Sequence, residues 1–426
     1  MMNNMDFSGN FPEMVLVHQV FDNNPLPDVA GELKGQLSAM NIQGRILPGQ
    51  AVAITAGSRG IRDILPVIQT LVNEIKKSGA TPFIIPAMGS HGGATREGQE
   101  AILRELNITA RTTGANICSS MEVEQIGTSA QGVPVYVDKQ AFNADHIILV
   151  NRVKPHTDFE GEIESGLTKM AAIGLGKRHG AEACHNAILD RGYYDTLTTV
   201  ADVVFEKAPV TLGVGIVENQ NDRTEAIGVA WKEDISELDQ RLLVKAKSVF
   251  PRLPFDKIDL LIVDEMGKDI SGTGMDQNII ARTVIQGGTV PALPDIRRIF
   301  VRDLTLASQG TATGLGNADF TTAKLIGKID RNATYTNCLS SCEPSLAAIP
   351  PYFDTDRQAV AAALGTIGLI PPEKAKIVRI KNTLNLETLW VSTALIDEAL
   401  HLNSLKISDD RQTLAFDDQG RLMTSW

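Results

Sequence analysis

Two α/β domains with mostly parallel sheets, residues 1–252 and 253–426, are what this chain of 426 residues predicts. Three observations carry that prediction. Residues 50–86 read as strand, glycine turn, amphipathic helix and strand, which is a βαβ unit. Apolar runs closed by polar, glycine-bearing loops recur at 81–95, 146–156 and 258–278. Between the last two, Pro251-Arg252-Leu253-Pro254 breaks a long amphipathic pattern, and a fresh strand opens after it.

Taken in order, residues 14–20 read as an early strand and 29–40 show helical spacing. Residues 51–55 form a short apolar strand, and Gly57-Ser58-Arg59-Gly60 a turn. Residues 61–78 then place Ile61, Ile64, Leu65, Ile68, Leu71, Val72 and Ile75 on one helical face. The turn lies at a strand's carboxyl end and a helix N-terminus, where free amides favour an anion and Arg59 adds a bidentate donor. An ordinary turn with a solvated arginine fits those residues equally well. Residues 81–86 are the next strand, and the loop after it holds His91 among Gly89, Gly92 and Gly93. A helix from Arg96 follows, with Thr95 as its N-cap. Residues 132–138 alternate like an edge strand.

The net charge of −11 argues against nucleic acid as a partner, because a phosphate backbone needs a basic footprint. No apolar run reaches the roughly 18 residues of a membrane span, and the N-terminal residues lack a signal-peptide pattern. The expected location is the cytoplasm. Four cysteines without framework spacing agree with a reducing compartment, and Cys338-x3-Cys342 lacks the second half of a zinc site.

The densest chemistry lies in residues 151–186, after the apolar strand 146–150. This stretch holds His156, Lys169, His179, Cys184 and His185, and glycines at 161, 166, 174, 176 and 180 predict mostly loop and short turns. His156 leaves a strand's carboxyl end as His91 does. Two histidines arriving from different strands suit two-sided general acid–base work. Lys169, among small and apolar residues, is either a partly desolvated amine or a surface lysine. His179 and His185 lie six apart, which is not the spacing of a helical metal pair.

Gly89-Ser90-His91, Lys154-Pro155-His156, Ser165-Gly166-x-x-Lys169 and His185, in that order, resemble the nickel-dependent lactate racemase family. The resemblance covers most of the N-terminal half. It implies a nickel pincer nucleotide, pyridinium-3,5-bisthiocarboxylic acid mononucleotide nickel, tethered to Lys169 in a cleft between the two domains. It implies His185 as the nickel ligand, with His179 as its rival, and His91 and His156 as the acid–base pair. Arg59 matches an arginine that holds substrate, while Ser58 and Phe159 are placed with Lys169 as cofactor contacts. The implied activity is inversion of a hydroxyl-bearing carbon by proton-coupled hydride transfer, on a small hydroxy acid or sugar acid. The family's Asp-His-Thr-Arg-Pro run is here Ala56-Gly57-Ser58-Arg59-Gly60, which points to a relative with a substrate other than lactate. Homo-oligomerisation is compatible with these residues.

In the second half, residues 193–206 and 235–250 read as helices, and 210–217, 225–231 and 258–263 as strands. The polar loop 264–278 offers Lys268 as a weakly assigned carboxylate contact. Residues 318–326, 357–364 and 392–401 look helical; 298–301, 377–380 and 386–391 look like strands. Two rival functions remain: a zinc-type hydrolase with His91, His156 and His185 on the ion, and a non-catalytic protein that carries the nickel cofactor or a nucleotide.

Overall fold

The computed structural model describes residues 11–58 and 60–423. Arg59 therefore lies outside the described residues. The described chain divides at Pro251, close to the expected boundary, into a unit Asn23–Phe250 and a unit that joins residues 11–22 to the C-terminal part. The assignment of all of residues 1–252 to one domain is corrected there. Strand β1 (Glu13–Gln19) carries the apolar alternation Met14, Leu16 and Val15, Val17, but it spends it on the C-terminal sheet. An alternating strand needs two neighbours, and nothing in its own residues says which sheet supplies them.

The Asn23–Phe250 unit is a doubly wound α/β layer structure. Its strands are β2 (Ala51–Ala56), β3 (Thr81–Pro86), β4 (Asn116–Ile117), β5 (Val123–Thr128), β6 (Pro134–Asp138), β7 (His146–Arg152), β8 (Val210–Glu218) and β9 (Thr224–Trp231). The main sheet runs β4-β3-β2-β7-β8-β9, parallel except for the β8/β9 hairpin. β5 and β6 form a separate antiparallel ribbon. Side chains alternate across the sheet as the pleat requires. Val52, Ile54, Ile148 and Val150 face one core with the helices Val29–Ala39 and Ile64–Lys77. Ala53, Ile147 and Leu149 face the other, with Tyr193–Lys207 and Ile235–Ser248. The Ile64–Lys77 helix buries Ile64, Val67, Ile68, Leu71, Val72 and Ile75. Each fully buried aliphatic contributes about 1.5–3 kcal/mol, so this one stripe is enough to pin the helix.

The other unit has strands β10 (Lys257–Val263), β11 (Asp295–Val301), β12 (Thr321–Thr322), β13 (Tyr352–Phe353), β14 (Ile377–Ile380), β15 (Thr388–Ser392) and β16 (Leu405–Thr413). Its main sheet, β11-β10-β14-β15-β1-β16, is mixed: β11, β10 and β14 are parallel, and β15, β1 and β16 run antiparallel. The expected helix over 318–326 shrinks to Ala323–Ile326, because Thr321 and Thr322 pair with Tyr352 and Phe353. No helix among the described residues is long and apolar enough to cross a membrane.

Residues 151–186 differ most from expectation. Loop gives way at Leu167 to a short α-turn (Leu167–Lys169), a π-helical turn (Met170–Gly174) and a 15-residue helix, Lys177–Arg191. Gly174 and Gly176 serve close approach, and Gly180 lies within the helix without breaking it. A Cβ on Gly174 would stand 2.8 Å from the Ala87 carbonyl oxygen, and one on Gly176 would stand 2.8 Å from the Gly180 Cα.

Candidate active site

Strand order places the site before any side chain is considered. From β2 the chain moves through β3 to β4 on one side, then returns to β7 and β8 on the other. The reversal lies between β2 and β7, and ligands of open α/β sheets bind outside the carboxyl ends of the strands at such a point. β2 stops pairing with β7 after Ile54↔Ile148. Thr55 replaces the ladder with its side chain, accepting at Oγ1 from the Val150 amide at 2.8 Å. The crevice so opened is flanked by Ser58 after β2, His91 after β3 and residues 153–169 after β7.

Ser58 Oγ hydrogen-bonds His91 Nδ1, so the β2 and β3 loops are joined through a hydroxyl and an imidazole. The His91 loop is pressed onto the helix Arg96–Glu105. Gly92 has φ +67, and a Cβ there would meet the Gly98 carbonyl carbon at 2.6 Å. Thr95 caps that helix by accepting from the Gly98 amide at 3.1 Å, as expected.

His156 is buried and fully engaged. Its Nδ1 accepts from the Asp158 amide at 3.1 Å, and its Nε2 contacts Lys169 Nζ. One face packs on Phe159, with ring centroids 4.7 Å apart, and Tyr193 lies 5.4 Å away. Phe159 and Tyr193 stack at 4.7 Å, and the Tyr193 hydroxyl donates to Asp158 Oδ2 at 3.2 Å. The His156 amide donates to Glu164 Oε2 at 2.7 Å, and Lys247 pairs with the same carboxylate. Burial, then the charges of Lys169, Lys154 and His185, hold His156 well below the ordinary histidine range, so its ring is neutral near pH 7.

Lys169 is held from below. The short turn that carries it begins at Gly166, and the buried Asp239 caps it, accepting from the Leu167 and Thr168 amides at 2.9 and 2.7 Å. Burial raises the Asp239 pKa, against those two bonds. Gly166 is extended, not left-handed, but a Cβ there would lie 2.4 Å from Asp239 Oδ1. The π-turn after Lys169 is the kind of helix insertion that collects at functional sites. Its Gly174 carbonyl accepts from the Gly89 amide at 3.2 Å, which ties the Lys169 segment to the His91 loop.

The structure thus brings Lys169, His156 and Phe159 into contact, joins Ser58 to His91, and puts His185 within electrostatic range of His156. His179 is exposed and lies 5.8 Å from the Tyr136 ring. Lys268 belongs to the other unit, where it donates to Asn337 Oδ1. Among the described residues no group of three or more His, Cys, Asp or Glu side chains is arranged to hold a metal ion. Cys184 is buried, its thiol pushed up to about 12 by burial, and so is inert. Asp239, Tyr193 and Asp158 were missed from sequence. Asp239 sits on a distant helix with no local motif, whereas an aromatic directly after a glycine is a signal too common to use.

The residues present fit the nickel pincer nucleotide. A primary amine stands in a half-buried crevice, an imidazole is close by on the next helix, and an aromatic wall lines one side. Lys154, Lys169 and His185 gather positive charge there, as a phosphate- or carboxylate-bearing ligand requires.

Residues 52–194 match the lactate racemase N-terminal domain family. Among solved structures, the lactate racemase apoprotein from Thermoanaerobacterium thermosaccharolyticum is similar with a TM-score of 0.51 at 12% identity, over 87% of this chain and 98% of that one. A protein from Thermotoga maritima solved by structural genomics is similar with a TM-score of 0.54 at 11% identity, over 84% and 97%. No curated protein matches the sequence. The family match falls on the segment that holds Ser58, His91, His156, Lys169 and His185, and the fold likeness extends along most of the chain. Residues 52–194 are therefore similar to the lactate racemase N-terminal domain family, and the chain shares its fold with the lactate racemase apoprotein.

Proposed function

We propose that this protein is a racemase or epimerase that inverts a hydroxyl-bearing carbon of a small hydroxy acid or sugar acid. The observation that carries the reading is the Lys169 amine set against a neutral, buried His156 at the topological switch point of the matched domain. In this reading Lys169 holds a nickel pincer nucleotide and His185 supplies a nitrogen to its metal. When bound, that group supplies a hydride acceptor.

The protein's own residues do the rest. His156, kept neutral, takes the substrate hydroxyl proton, and His91, oriented by Ser58, serves the opposite face. Phe159 and Tyr193 exclude water and keep the His156 ring in place. Lys154 favours an anionic substrate, and Arg59 is assigned to its carboxylate or hydroxyls. Inversion requires proton removal and return on two faces, which a single histidine cannot serve.

The test is a panel of chiral 2-hydroxy acids and sugar acids, incubated with cofactor-loaded enzyme in deuterated water. Inversion of one substrate without deuterium at the inverted carbon supports the proposal. Full cofactor loading with no inversion across the panel supports a carrier and sinks the enzyme.

A further inference from the structure

Lys177 is completely buried and adopts φ +52, a left-handed conformation that a lysine enters at a cost. Its ammonium has three N–H donors and three acceptors around it. One is the carbonyl of Pro86, the last residue of β3; the others are Asp138 Oδ2 at 3.1 Å and Gln99 Oε1 at 3.5 Å. Gln99 is also completely buried, and its amide nitrogen donates to the carbonyls of Gly89 at 3.0 Å and His91 at 3.3 Å. Asp138 in turn donates its amide to the Leu175 carbonyl at 2.7 Å, at the end of the π-turn that follows Lys169. One buried cation therefore touches the end of β3, the glutamine that grips the His91 loop, and the residue that anchors the Lys169 segment.

We propose that Lys177 and Gln99 are positioning residues that fix the His91 imidazole in the crevice by clamping the backbone of its loop. The proposal rests on the reading of His91 as an acid–base group. Its physical basis is the direction of the bonds. Lys177 fixes the oxygen of the Gln99 amide, so the nitrogen of that amide must point at the His91 loop. A buried ion pair adds little stability compared with apolar packing, so stability alone does not account for this one. Proton transfer does need the histidine placed to a fraction of an ångström, and misplacement by about 1 Å costs about 100-fold in rate.

Gln99→Glu separates the two roles. It keeps the shape and strengthens the attraction to Lys177, but it turns both donors to the His91 loop into an acceptor facing two carbonyls. Lys177→Met combined with Asp138→Asn is the second variant. It removes both buried charges together, leaves an acceptor for the Ala141 amide at 2.9 Å, and frees Gln99 to rotate. Histidine side-chain nitrogen NMR and hydrogen exchange over residues 87–95 are read on the whole protein.

The expected result is a His91 ring signal moved toward that of a solvent-exposed imidazole, with the other histidines unmoved. Loop exchange should accelerate about tenfold or more beyond what the lowered unfolding midpoint accounts for, since each variant leaves a buried carbonyl without its donor. In cofactor-loaded enzyme, kcat should fall roughly 100-fold with KM changed less than about twofold. Unchanged His91 signals and loop exchange in both variants overturn the proposal, as does a change that only follows global unfolding. If the wild type inverts nothing, the functional reading fails, while NMR and exchange still decide the clamp.

Discussion

Acid should destabilise this protein through His156 in a way that a single substitution removes. The ring is buried beside Lys169, Lys154 and His185, so the folded state resists its protonation. In the unfolded chain it takes a proton near the ordinary value of about 6.5. As pH falls through that value the unfolded state binds the proton first. The stability associated with the neutral ring is therefore present above about 6.5 and lost below it. From about pH 7.5 to about pH 5.5, the unfolded ring goes from mostly neutral to mostly charged while the folded ring stays neutral. One proton linked over that window is worth roughly 1.4 kcal/mol. His146, also held low by burial, adds a similar slope that is common to both proteins and cancels in the comparison. Urea unfolding of the wild type and His156→Gln across this range is the assay. The wild type should lose roughly 1.4 kcal/mol more than the variant. Parallel losses would show that the folded ring protonates as readily as the unfolded one, and the neutral-base role would fall with that result.

The remaining predictions concern the two supports of the site. Gly166→Ala places a methyl 2.4 Å from Asp239 Oδ1 and should push the capping carboxylate off the Leu167 and Thr168 amides. Each buried amide left without a partner costs about 1–3 kcal/mol, so urea unfolding should show a loss of several kcal/mol; a loss under about 1 kcal/mol would mean that Asp239 does not hold this turn. Tyr193→Phe keeps the stack on Phe159 but removes the donor to Asp158. Stability should drop by only about 0.5–1.5 kcal/mol, while the pH dependence of inversion shifts because Asp158 faces His156 less constrained.

Much of the fold was legible because apolar periodicity is a local property. The strand 81–86 coincides with β3, and the helix after Thr95 begins where its cap predicts. Two kinds of information were not local. β1 shows a clean alternation, yet its partners Thr388–Ser392 and Leu405–Thr413 lie at the far end of the chain. β16 itself, LKISDDRQT, is too polar to announce a strand; it pairs at a sheet edge where one side meets water. In the site, the glycines at 174, 176 and 180 looked like helix breakers because glycine has low helix propensity. At Gly174 and Gly176 the cause is steric: neighbouring backbone and the Met170 sulfur occupy the space a side chain would need, whereas a Cβ on Gly180 would meet only ordinary contacts at 3.8 Å and beyond. Lys169 stood between a desolvated amine and a surface lysine, and only the packing of His156 and the Asp239 cap decides that it is held. Lys177 gave no signal, since a buried lysine and an exposed one are spelled alike.

The account depends most on Lys169 being the point where the cofactor is covalently held. The direct measurement is intact mass and peptide mapping of the protein produced together with a functioning nickel pincer nucleotide pathway. The account predicts added mass confined to the peptide that contains Lys169, and none on Lys169→Arg produced in the same way. A fully unmodified Lys169 in protein that nonetheless inverts its substrate would contradict it.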